Sequence, residues 1–149
     1  MRGVFPQEGF TLVELIVTIA VMAIIAMMAA PSFNNMLLKQ NLDKSAQTLI
    51  STLGQARSQA ALRRQEITVQ LSTVQVADTN TQLNWIPSGK AVLRTGSSTS
   101  LIFLPNGLVK NANSDTSFVI CEQPSGSLSK TVSISKMGTI QQTVEGTCS

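Results

Sequence analysis

From Phe10 to Ala30 the chain runs for 21 residues with a single charge, Glu14, in an otherwise apolar stretch. As a helix rising about 1.5 Å per residue, this stretch is roughly 31 Å long, enough to cross a bilayer core. Beyond Pro31 the pattern changes. Leu42, Ala46, Leu49, Leu53, Ala56 and Ala60 recur at spacings of three and four. That is one apolar stripe of an amphipathic helix. Lys39, Lys44, Gln47, Gln55 and Arg63 lie on the other side. The stripe suits a face laid on a sheet; a coiled-coil seam is the weaker alternative, because the pattern is short. Pro31 removes one helical hydrogen bond and is expected to bend the helix there without ending it.

After Gln65 the period falls to two. In EITVQLSTVQV, Ile67, Val69 and Leu71 alternate with Thr68, Gln70 and Ser72, the mark of a half-buried strand. Further strands are expected at 82–86, 91–95, 100–104, 117–121, 130–136 and 139–144. Turn signals separate them: Pro87-Ser88-Gly89, Gly96-Ser97-Ser98, Pro105-Asn106-Gly107 and Pro124-Ser125-Gly126. Asn106-Gly107 is the strongest, because both residue types tolerate positive φ. The expected fold class is α+β, with a long kinked N-terminal helix packed on an antiparallel β-sheet domain.

Composition narrows the chemistry. Hydrophobic residues make up 43% of the 149 and charged residues 13%. A core is therefore available, and Ser, Thr, Asn and Gln must cover much of the surface. The net charge of +3 does not force a nucleic-acid reading. There is no histidine, so imidazole proton shuttles and imidazole metal sites are excluded. No nucleophile–base pair can be assembled, and an enzyme is not expected. Neither a cofactor nor a metal site is implied. Arg57, Arg63 and Arg64 crowd the end of the amphipathic helix. They suit its C-terminal dipole better than a nucleic-acid patch, which would interleave aromatics.

Glu14 is the puzzle of the N-terminal segment. A secretory signal peptide needs small residues around a cleavage site, and the methionines of AMMAAP, Ala26 to Pro31, spoil each frame. A plain anchor explains the length and leaves the carboxylate unexplained; at mid-membrane it costs about 2.5–3.5 kcal/mol or more, and less near one end. A cut between Gly9 and Phe10 resolves this. Phe10 then carries a new ammonium, and Glu14 becomes the fifth residue of the mature chain. Four residues apart, the two charges share one helix face. The carboxylate also suits the helix N-terminus and, in a bundle, the ammonium of a neighbouring subunit.

GFTLVEL, Gly9 to Leu15, resembles the class III signal of type IV pilins and type II secretion pseudopilins. The glycine, the phenylalanine after it, the glutamate and the apolar run are all in place. The resemblance implies that a prepilin peptidase removes a leader, residues 1–9, and that the Phe10 nitrogen is methylated. Glu14 would register the subunit in a fibre, and Pro31 falls where pilins often kink. It implies an assembly half at 10–30, an amphipathic half at 31–65 and a periplasmic β domain at 66–149. It also implies a single-pass inner-membrane precursor that later enters the fibre.

Cys121 and Cys148 are the only cysteines. Outside the cytoplasm a disulfide is their default state, contributing roughly 3–4 kcal/mol; free thiols are the competing state. The order of helix, short strands, IFLPNG (102–107), FVIC (118–121) and a late cysteine resembles the GspH/FimT group of minor pilins. That resemblance implies, as partners, other minor pilins, the major pilin and an inner-membrane assembly platform. Some FimT-type pilins bind DNA through a Gly-Arg-x-Arg motif. The corresponding Gly138-Thr139-Ile140-Gln141 lacks both arginines, which counts against nucleic acid and favours a FimU-like role in priming pilus assembly. A type II secretion pseudopilin carries the same kind of signal and stays open as an alternative.

Overall fold

The structure is a computed structural model that describes residues 9–72 and 74–148. The leader expected at 1–9 therefore lies outside the described residues, apart from Gly9. The chain divides into two compact units, Met1–Met36 and Leu37–Ser149.

Within the first unit the described chain is helical from Leu12 onward, as the start of α1 (Leu12–Arg63). Thr11 caps it: its Oγ1 accepts the Glu14 backbone N–H at 3.2 Å, and its carbonyl accepts the Leu15 N–H at 3.3 Å. Thr11-Leu12-Val13-Glu14 has the residue types of a capping box, with the carboxylate in the positive first turn. The helix passes through Pro31. Proline has no N–H, so the carbonyl of Met27 loses its donor there.

The second unit contains the rest of α1 and seven strands: β1 (Ile67–Leu71), β2 (Gln82–Trp85), β3 (Val92–Leu93), β4 (Ser100–Phe103), β5 (Thr116–Cys121), β6 (Leu128–Ile134) and β7 (Val144–Thr147). They form two sheets, ordered β2-β1-β4 and β3-β5-β6-β7. All pairings are antiparallel except β1 with β2, which is parallel. Ser72–Thr81 carries the chain back to the start of β1, so β2 runs beside it in the same sense. Asp78 fixes this excursion by accepting the Asn84 N–H at 2.7 Å.

One core joins the helix to both sheets. All six residues of the predicted stripe are buried, together with Leu38 and Ser45. They meet Ile67, Val69 and Leu71 of β1, Phe103 of β4, Phe118 and Ile120 of β5, and Val132 and Ile134 of β6. Two polar pins set the helix against the sheets. Trp85 Nε1 donates to Thr48 Oγ1 at 3.0 Å. The Ser45 hydroxyl accepts the Ser88 N–H at 2.8 Å.

Three strand expectations need correction. The alternation in EITVQLSTVQV ends at Leu71, and Val74 and Val76 are exposed. Residues 91–95 contribute only the two-residue β3. Of the strand expected at 139–144 only Val144 is in one: a turn at Ser135–Gly138 returns the chain to a single bridge between Ile140 and Ile134. The last strand lies later, at Val144–Thr147, where every residue is exposed. No apolar alternation marks it, because neither of its faces is buried.

Candidate assembly interface

In the first unit, the described residues from Gly9 to Met36 are all exposed. Phe10 is 86% exposed, and Leu12, Ile16, Met22, Ile25 and Met28 are bare as well. A helix without a polar face that leaves its whole apolar surface uncovered requires lipid or other helices around it. It is long and apolar enough to cross a membrane. Glu14 is the only charge on this apolar stretch. Among the described residues it has no ion-pair partner.

In the second unit, Arg57 holds two turns together. Gly107 N–H donates to the Leu104 carbonyl at 2.8 Å, and Leu104 N–H to the Leu108 carbonyl at 2.9 Å. Gly138 repeats the arrangement, with Gly138 N–H on the Ser135 carbonyl at 2.8 Å and Ser135 N–H on the Thr139 carbonyl at 2.9 Å. Both glycines take positive φ, 79° and 76°, whereas Asn106 does not. The turns stack so closely that a β-carbon on Gly138 would collide with the Gly107 carbonyl oxygen. Arg57 lies across them, Nε donating to the Gly107 carbonyl at 3.3 Å and Nη2 to the Met137 carbonyl at 3.1 Å. A cleft of about 480 Å³, lined by Gly54, Ser58, Ala61 and Asn106 among others, opens beside this clamp.

Arg63 lies in the last turn of α1, as expected of a cation at a helix C-terminus, and Arg57 and Arg63 also reach loops. Arg63 Nη1 donates to the Asn80 carbonyl at 2.6 Å. Arg64 takes φ 54° and ends the helix. The stretch compared with Gly-Arg-x-Arg carries no cation. Thr139 donates its N–H to Ser135 Oγ, and Gln141 Nε2 donates to Asp115 Oδ2 at 2.6 Å.

Cys121 and Cys148 are disulfide-bonded, with their Cα atoms 5.7 Å apart. The bond ties the residue after β7 to the end of β5. Lys130 of β6 adds a second tie, at 2.6 Å from Asp43 on α1 and 3.5 Å from Glu145 on β7. Its hydrogen bond to Asp43 raises the Lys130 pKa above the ordinary 10.5, against desolvation that lowers it, and Glu145 adds to the rise. The count of two cysteines, with an extracytoplasmic setting, makes this pair the default expectation over free thiols. Nothing comparable hints at the Asp43–Lys130–Glu145 cluster, whose members lie on three separate elements.

Two family models match this chain. Residues 45–138 match the type II transport protein GspH, and residues 5–30 match the prokaryotic N-terminal methylation motif. The first match covers more than half of the chain. It is a member of the GspH family. This GspH-family chain also shares its fold with the type IV minor pilin FimU of Pseudomonas aeruginosa. One FimU crystal form superposes with a TM-score of 0.54 at 22% identity, covering 69% of this chain and 88% of that one. A second gives 0.50 at 23%, covering 67% and 90%. Comparison with curated proteins returns no match.

Proposed function

We propose that this GspH-family chain is a minor pilin of a type IV pilus, and that it helps to start the fibre in a tip complex with other minor pilins. The observation that carries the reading is the bare apolar helix with its lone carboxylate, lying within a match to the N-terminal methylation motif. A prepilin peptidase cuts after Gly9, and the new Phe10 nitrogen is methylated. Before assembly the helix anchors the precursor in the inner membrane, with the second unit in the periplasm. On assembly, Glu14 meets the Phe10 ammonium of a neighbouring subunit as the helices bundle, and Pro31 lets the helix bend to fit. The chain then sits with the major pilin and its fellow minor pilins, delivered by the inner-membrane platform.

A place in type II secretion is the second reading, and the family description favours it. DNA uptake is a third, opposed by the absence of cations at Thr139–Gln141. The deciding experiment is surface pilus yield after in-frame deletion, with complementation. Loss of pili, restored by the gene, supports the priming role. Unchanged pili with impaired secretion of folded exoproteins transfers the chain to the secretion system. Salt-sensitive retardation of DNA by the full chain in detergent would support the third reading.

A further inference from the structure

A β-sheet edge exposes backbone donors and acceptors, and folded proteins usually cover or shorten it. Among the described residues, three of the four edges here are so treated. The β2 edge is met by its own preceding loop, with Thr79 N–H on the Gln82 carbonyl at 2.8 Å. The β4 edge is met by the returning chain, with Lys110 N–H on the Ile102 carbonyl at 2.9 Å. The β3 edge is two residues long.

The β7 edge is different. Thr147 pairs with Leu128, Gly146 with Ser129, Glu145 with Lys130 and Val144 with Thr131. Cys148 N–H donates to the Ser127 carbonyl at 3.1 Å, which fixes the alternation. Gly146 and Val144 therefore turn their backbone groups to β6, while Glu145 and Thr147 direct N–H and C=O away from the sheet. No described residue meets those four groups with its backbone. The strand is held in place all the same. The disulfide fixes one end, and Lys130 ties Glu145 toward Asp43 on α1. A strand already ordered costs little more to order on binding.

We propose that the outer edge of β7 accepts an extended segment of a neighbouring pilin subunit as an added strand. This rests on the reading of the chain as a fibre component. The chemistry of the edge specifies the occupant: two residues at strand spacing, each offering a donor and an acceptor, are matched by another backbone. A second copy of this chain could pair about Gly146 and satisfy the same groups. That pairing is isologous and closes at two copies, whereas a fibre grows by head-to-tail contacts. The partner strand is therefore a different surface of a different subunit. Lys39, Leu42 and Asp43 of α1 border the same hollow as Lys130 and Glu145, so the edge runs beside the second-unit part of α1. So short a strand adds to the proposed bundling of N-terminal helices and does not replace it, because helix packing supplies a high local concentration.

The test uses the full chain at native expression in cells that make the fibre. Val144→p-benzoylphenylalanine is irradiated, and sheared fibres are analysed by mass spectrometry. The expected adduct maps to an extended segment of another protein that carries a class III signal. Thr147→Pro, which removes an outward N–H and breaks no hydrogen bond to β6, is expected to lower its yield at least fivefold without changing the melting temperature of the purified chain. Fibres that contain the chain but give no adduct, an adduct to a second copy, or a yield indifferent to Thr147→Pro would overturn the strand pairing alone. Absence of the chain from the fibres would overturn the minor-pilin reading as well.

Discussion

Glu14 joins the helix cap through its backbone and leaves its side chain free for the proposed registration. Its backbone N–H binds Thr11 Oγ1, while its side chain remains without an ion partner among the described residues. Replacing the side chain leaves that capping bond intact. Glu14→Ala should therefore be cut normally and fail to enter fibres; equal amounts of the mutant in sheared fibres would remove the registration role. Gly9 to a bulky residue should leave the precursor uncut, read as the larger band on an immunoblot. Gly138 illustrates another kind of constraint. Its φ of 76° and the Gly107 carbonyl against it leave no room for a methyl group. Gly138→Ala should cost about 2 kcal/mol, measured by thermal or urea unfolding of the chain in detergent.

Among the elements, those whose apolar face is buried were legible in the sequence. The α1 stripe from Leu42 to Ala60 and the Ile67, Val69, Leu71 alternation give a period because one side meets the core. β7 gives none, and neither does the parallel sense of β2, which depends on Asp78 gripping Asn84 across a loop. Glu122 was equally silent: it is buried, and its Oε1 accepts the Ser127 and Leu128 N–H groups at 3.0 and 3.3 Å to shape the turn before β6. Of the candidate site, the N-terminal motif was readable as a local pattern, and the cysteine pair from there being no other cysteines. The Arg57 clamp was not, since its partners lie 50 and 80 residues away. The Lys130 cluster makes the attachment of β7 sensitive to alkali. A lysine pKa raised by folding stabilises fully below its unfolded value and loses that contribution as pH climbs through the folded one. The melting temperature should thus fall above about pH 10.5, and Lys130→Met should flatten that fall.

At the scale of the whole molecule, a bare helix and a cross-linked second unit suit the proposed passage from membrane precursor to fibre subunit. The disulfide closes a loop with a sequence separation of 27. Cys121→Ser with Cys148→Ser should lower stability by roughly 3–4 kcal/mol in denaturant titrations. Surface fibres are also pulled upon. If force enters through the N-terminal helix and leaves near the C-terminus, the covalent link lets the load bypass the segment between the cysteines. Unravelling under tension then releases roughly 90 Å less chain in the oxidised protein than in the reduced one. Single-molecule stretching with and without reductant would read that hidden length directly. Along this path, the stretch between the two cysteines would act as a short, inextensible tie instead of a spring.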